Sequence, residues 1–144
     1  MASKAQAVAA WESLFRAQVT VMRRLGAEFP SSEISLVEYD VLFNLSRQPD
    51  RALRIRDLVR DLLITQPSVS RLVDRLAARA LIAKQPDPAD ARGVIVSLTD
   101  EGYELFRRVA VVHAESISQH VGGALDDEEL RQLGALCEKL RAGA

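Results

Sequence analysis

The chain has one cysteine, seven glycines and 5% aromatic residues in 144 positions. With Cys137 alone there is no intrachain disulfide and no multi-cysteine metal site, so a disulfide-stapled fold is excluded. The longest uninterrupted apolar run is Ala7 to Trp11, far short of the roughly 20 residues a membrane-spanning helix needs. The Ala-rich stretch after Lys4 is cut by Glu12 before it reaches the length of a secretory signal, and the expected compartment is the bacterial cytoplasm. The few glycines are too scattered for a dinucleotide loop, and G-x-x-x-x-G-K, G-x-S-x-G and H-E-x-x-H are all missing. No catalysis, cofactor or metal is expected.

Net charge is also nearly absent, at −1, which argues against a polyanionic partner only if the charges are evenly spread. They are not. Between Arg51 and Thr99 nine basic residues face five aspartates, and the acidic excess lies in the flanks. A basic middle between acidic ends points to one polyanion-facing surface, although a solvated surface can carry the same split.

Hydrophobic periodicity supplies the organisation. Val8, Trp11, Phe15, Val19, Met22, Leu25 and Phe29 recur at steps of three or four and predict a long amphipathic helix that Pro30 stops. Ser35 and Glu38 form a capping box, with Ile34 and Tyr39 as its hydrophobic staple, for a helix to about Arg47, and Gln48-Pro49-Asp50 is a turn. A third helix from about Asp57 to Leu63 precedes a fourth, capped by Thr65, with Pro67 in its first turn and Val69, Leu72, Val73 and Leu76 as its packed stripe to about Arg79. Two helices so closely spaced are a helix-turn-helix candidate.

Leu81–Lys84 and Val94–Leu98 are strand-compatible, and the turn-rich stretch Pro86–Gly93 between them predicts a β-hairpin with a protruding loop. Thr99 caps a helix to about Val121 that Gly122-Gly123 breaks, and Asp126 with Glu129 opens a last helix to about Arg141.

Helix, helix, helix-turn-helix, hairpin, helix, helix, with the basic residues in the middle, is the order of a winged helix-turn-helix. The second helix of such a pair enters the major groove of DNA, where Arg pairs bidentately with guanine and Gln with adenine. Gln66, Ser68, Ser70, Arg71 and Arg75 occupy the start and outer side of that helix, opposite the packed stripe. Arg92 of the hairpin is a candidate for the adjacent minor groove, and Asp90 is expected to orient its guanidinium. The bland alternative is that Arg71, Arg75 and Arg92 pair with Asp74 and Asp90.

The run Thr65-Gln66-Pro67-Ser68-Val69-Ser70-Arg71-Leu72-Val73-Asp74-Arg75-Leu76, followed by Pro86-Asp87-Pro88-Ala89-Asp90-Ala91-Arg92 and Leu98-Thr99-Asp100-Glu101-Gly102, resembles the MarR family of bacterial transcriptional regulators. The family hallmark D-x-R ahead of an L-T pair falls on Asp90, Arg92, Leu98 and Thr99. The resemblance implies a mostly α winged helix-turn-helix fold with long flanking helices forming a dimerisation bundle: residues 1–33, a DNA-binding region 34–98, and residues 99–144. It implies a homodimer on a pseudo-palindromic operator of double-stranded DNA, contacting it through Thr65, Gln66, Pro67, Ser68, Ser70, Arg71, Arg75, Asp90 and Arg92. It further implies a repressor released by a small aromatic or anionic effector.

Three departures from the pattern carry expectations. Ala80 stands where Gly is common and predicts a different C-cap; Gln85 replaces a wing arginine; Arg56 replaces the usual cap of the third helix.

The remaining singular residues have structural readings. Cys137, in the stripe Leu130, Leu133, Cys137, Leu140, is expected to be a small buried hydrophobe, its alternative being a redox sensor. Trp11 is expected in a core, its alternative being an effector platform. His113 and His120, seven apart on one helix, cannot share one ion within a chain and are read as core or interface histidines, with His113 kept as an effector candidate. The rival to the whole functional reading is a winged-helix module that uses the same surface for a protein partner and never binds DNA.

Overall fold

The computed structural model describes residues 1–62 and 66–143. It comprises α1 (Lys4–Glu28), α2 (Leu36–Ser46), β1 (Ala52–Arg54), α3 (Ile55–Asp61), α4 (Gln66–Ala78), β2 (Ile82–Asp87), β3 (Asp90–Leu98), α5 (Asp100–Ile117), a π-helical turn (Ser118–Gly122) and α6 (Asp127–Gly143). No described helix is long and apolar enough to cross a membrane.

Two compact units divide the chain, one made of residues 1–29 and 112–144, the other of residues 30–111. The second holds the best-buried side chains: Ile34, Val41, Leu42, Leu45, Leu58, Val69, Val73, Leu76 and Val96 are fully enclosed. Each such Leu, Ile or Val contributes about 1.5–3 kcal/mol relative to an exposed position. Ile34 and Val41 are therefore core residues, while Val37 on the same stretch is exposed.

The helix ends follow the sequence closely. Ser35 Oγ accepts the Glu38 N–H and Glu38 Oε1 accepts the Ser35 N–H, the reciprocal capping box of α2. Asp126 and Glu129 make the same exchange at α6. Thr99 Oγ1 accepts the Gly102 N–H at the start of α5 and donates to the Ala80 carbonyl, which ties the end of α4 to the start of α5.

The structure departs from the sequence pattern at three places. The hairpin has no eight-residue loop: β2 and β3 continue to Asp87 and from Asp90, leaving Pro88 and Ala89 as the turn. Pro86 is tolerated because β2 is an edge strand in the order β1-β3-β2, where one face of the ladder needs no donor. The third strand, β1, was not expected from the sequence; its three residues pair antiparallel with β3, Arg54 opposite Ile95. Finally, α4 ends in an ordinary Schellman cap despite Ala80: the Leu81 N–H reaches the Leu76 carbonyl, the Ala80 N–H reaches that of Ala77, and Ala80 takes φ 61°.

In the other unit, α1 and α6 run as long helices with little enclosed. Leu25 and Phe29 are the buried apolar side chains of this unit, and α6 has none. Trp11 is 60% exposed, not a core residue, and touches Phe15 with ring centroids 5.8 Å apart. Cys137 is half-buried and not enclosed as expected, because its stripe neighbours Leu133 and Leu140 are themselves exposed in the single chain.

Candidate nucleic-acid interface

Helix α4 is divided sharply by its own periodicity. Val69, Leu72, Val73 and Leu76 face the core, while Arg71 and Arg75 stand in solvent on the other side. Gln66 opens the helix, Pro67 is exposed beside it, and Ser68 and Ser70 are half-buried. Thr65 lies outside the described residues. The missing N–H of Pro67 costs nothing at a position where no intrahelical partner exists.

The acids near these arginines are engaged elsewhere. Asp74 Oδ1 lies 2.5 Å from Lys84 Nζ on β2. Asp90 Oδ1 accepts the backbone N–H of Arg92 at 3.0 Å. The expected role of Asp90 is thereby corrected: it shapes the start of β3 through the main chain, and the guanidinium of Arg92 is not its partner. Arg71 Nη2 reaches Ser68 Oγ at 3.3 Å. Among the described residues, Arg71, Arg75 and Arg92 have no carboxylate within ion-pair distance, whereas Arg54, Arg60, Arg79, Lys84 and Arg108 each do.

Between α4 and the hairpin lies a cleft of about 350 Å³, lined by Arg54, Arg56, Ser70, Asp87, Arg92 and Gly93 among others. Arg56 is exposed in the first turn of α3. Its expected position as helix cap is taken by Arg54, whose side chain makes no cap hydrogen bond. Arg56 is thus a candidate contact that the cap pattern hides; the signal for it is its place in the basic segment that begins at Arg51.

A separate polar cluster sits where α1 ends. Glu28 accepts from Ser116 Oγ at 2.5 Å and meets His120 Nε2 at 2.8 Å. The Ser116 hydrogen bond first, and the His120 contact after it, hold the Glu28 carboxyl below its usual range. His113 is buried with Phe29 edge-on at 5.2 Å, and desolvation pushes its pKa down from the ordinary value. No three His, Cys, Asp or Glu side chains among the described residues gather as a metal site.

A closely packed helix pair, a three-stranded hairpin sheet and an outward row of arginines without acid partners among the described residues define a winged helix-turn-helix of the DNA-binding kind. The MarR family model matches residues 32–93. The regulator PecS of Dickeya dadantii is 30% identical over 125 residues, covering 86% of this chain and 75% of its own length. Among solved structures, Sco3205 of Streptomyces coelicolor, a MarR family regulator in complex with DNA, superposes with a TM-score of 0.80 at 29% identity, covering 99% of this chain and 91% of its own. BpsR of Bordetella bronchiseptica superposes at 0.77 with 29% identity, covering 92% and 98%. The chain belongs to the MarR family of transcriptional regulators.

Proposed function

We propose that two copies of this chain bind one pseudo-palindromic operator in the bacterial cytoplasm, each reading a half-site with α4, and that a small aromatic or anionic effector releases them. Thr65, Gln66, Pro67, Ser68, Ser70, Arg71 and Arg75 are assigned to the major groove and its flanking phosphates. Arg92 is assigned to the minor groove, with Asp90 shaping the hairpin segment that carries it through the Arg92 N–H, and Arg56 to the backbone. The observation that carries this reading is the set of arginines on α4 and the hairpin that no acid among the described residues neutralises, on the side of α4 opposite its buried stripe.

Dimerisation is supported by what the first unit leaves uncovered. Val8, Trp11, Phe15 and Met22 on α1 and Leu133, Leu136 and Leu140 on α6 are exposed at helical spacing. An apolar surface of that kind is covered in stable soluble proteins, and a two-fold partner made of the same helices covers it symmetrically. Half-sites then lie about one turn of DNA apart, roughly 34 Å.

The effector reading is supported by the similarity to BpsR, whose DNA binding is regulated by 6-hydroxynicotinic acid. Trp11 and His113 remain its proposed contacts here. Trp11 is the chain's one tryptophan, so intrinsic fluorescence reports an aromatic acid beside it.

Fluorescence anisotropy of a labelled operator duplex, titrated at several salt concentrations, tests the DNA reading. Counterion release gives a slope of about −0.9 in log affinity per neutralised phosphate. Arg75→Ala and Arg92→Ala weaken binding about 5- to 150-fold with the dimer intact. A protein-interaction module would show no salt-dependent titration.

A further inference from the structure

Asp87 stands apart from its surroundings. It closes β2 beside a solvent-exposed turn, yet its side chain is only 2% accessible. Oδ1 accepts the N–H of Ala89, the second turn residue, at 2.9 Å. Oδ2 lies 2.7 Å from Nε of Arg54, whose backbone belongs to β1. In the strand order β1-β3-β2 this ion pair crosses the face of β3, and it crosses at Gly93. A Cβ on Gly93 would stand 3.0 Å from Asp87 Cβ and 3.3 Å from Oδ2, so a side chain there would press on the carboxylate and the bare glycine leaves it room.

The register of the hairpin slips at the same place. Pro86 pairs with Val94 and Asp87 with Asp90, so Ala91, Arg92 and Gly93 have no partner on β2. Ladder pairing therefore does not fix Arg92. What holds its segment is the Asp90 carboxylate on its N–H and the Asp87 carboxylate against Gly93. Arg54, which opens α3 without using its side chain as a cap, ties that second anchor to the body of the domain.

We infer that Arg54 is a positioning residue for Arg92: its ion pair with Asp87 across Gly93 fixes the hairpin so that Arg92 is presented to DNA, without Arg54 itself making the contact. The inference rests on the DNA-binding reading above. Arg54 is neutralised by a buried acid, while Arg92 has no carboxylate partner among the described residues, so these two of the cleft's three arginines have different work.

The test uses the whole chain and an operator duplex enriched from random sequence, with anisotropy titrations at several salt concentrations for the parent, Arg54→Met, Arg54→Lys, Asp87→Asn, Arg92→Ala and the combinations with Arg92→Ala. Thermal unfolding monitors the fold. Asp87→Asn is the decisive variant, because removing an acid beside a polyanion tightens binding if charge alone matters. The positioning role predicts the opposite: Asp87→Asn and Arg54→Met each weaken binding about tenfold, Arg54→Lys recovers part of the loss, and neither change adds to Arg92→Ala. Unchanged or tighter binding by Asp87→Asn overturns the inference, as does an Arg54→Met loss that persists in full beside Arg92→Ala. If Asp87→Asn does not fold, the Arg54→Met cycle decides alone. A parent protein that shows no salt-dependent DNA binding sinks the DNA reading itself, whereas a parent that binds and responds only to Arg92→Ala sinks this inference alone.

Discussion

Lys84 Nζ meets Asp74 Oδ1 at 2.5 Å, so the acid on the outer part of α4 is neutralised from β2 and not by Arg71 or Arg75 on its own helix. The pair is exposed on both sides and adds little to stability, since such bridges contribute about 0–1 kcal/mol. Its effect is on the field at the DNA-facing helix. Lys84→Met leaves Asp74 uncompensated and weakens operator binding, and adding Asp74→Asn restores it. Anisotropy titrations of the two variants check this, and equal affinities across the series would show that the pair is inert.

Ala80 carries a left-handed conformation that costs an L-residue roughly 1–2 kcal/mol and glycine nothing. Against the greater entropy of glycine in the unfolded chain, Ala80→Gly is expected to stabilise the protein by about 0.5–1 kcal/mol. Thermal unfolding then shows a rise of a few degrees, about 2–4 °C per kcal/mol for a chain of this size. A fall in Tm would show that Ala80 is not strained.

His113 makes stability depend on pH below neutrality. Burial lowers its folded pKa from 6.5, so the unfolded chain binds the proton more readily between the two values. The stability is fully present above about 6.5 and is lost as pH falls through that value towards the folded pKa. Glu28, with its pKa lowered from 4.5, adds a loss of the same sign at lower pH. Denaturant unfolding of His113→Phe across pH 5 to 7.5 should show a flatter profile than the parent; parallel profiles would assign the slope elsewhere.

Leu136 is 64% exposed on α6, so Leu136→Asp removes no enclosed contact within a single chain. In a dimer built on α1 and α6 it places a charge in an apolar interface. Sedimentation is expected to show a lower apparent mass for this variant at the same concentration, and an unchanged mass would move the interface to other residues.

Much of the fold was legible because it is written in local chemistry. The Ser35–Glu38 and Asp126–Glu129 boxes, the Thr99 cap and the Val69–Leu76 stripe each depend on residues within about two turns of one another. The resemblance carried by Asp90, Arg92, Leu98 and Thr99 pointed to the same family as the comparisons. What escaped depends on partners far along the chain. β1 is three residues long and exists only through β3, and Asp87 reads as one more turn former until Arg54, 33 positions earlier, is seen against it. Arg56 looks like a poor cap because the apolar periodicity starts α3 at Asp57, two residues after its actual start at Ile55. Trp11 and Cys137 were expected to be enclosed because periodicity marks an apolar face without saying what covers it.

The most direct test of dimeric operator reading is selection of duplexes from a random pool by the purified protein at moderate salt, with the enriched sequences compared for two-fold symmetry. The expected product is an inverted repeat whose half-sites are centred about 10 base pairs apart, the separation of two α4 helices across a dimer axis. A folded dimer that enriches no sequence, or enriches one without two-fold symmetry, would contradict it.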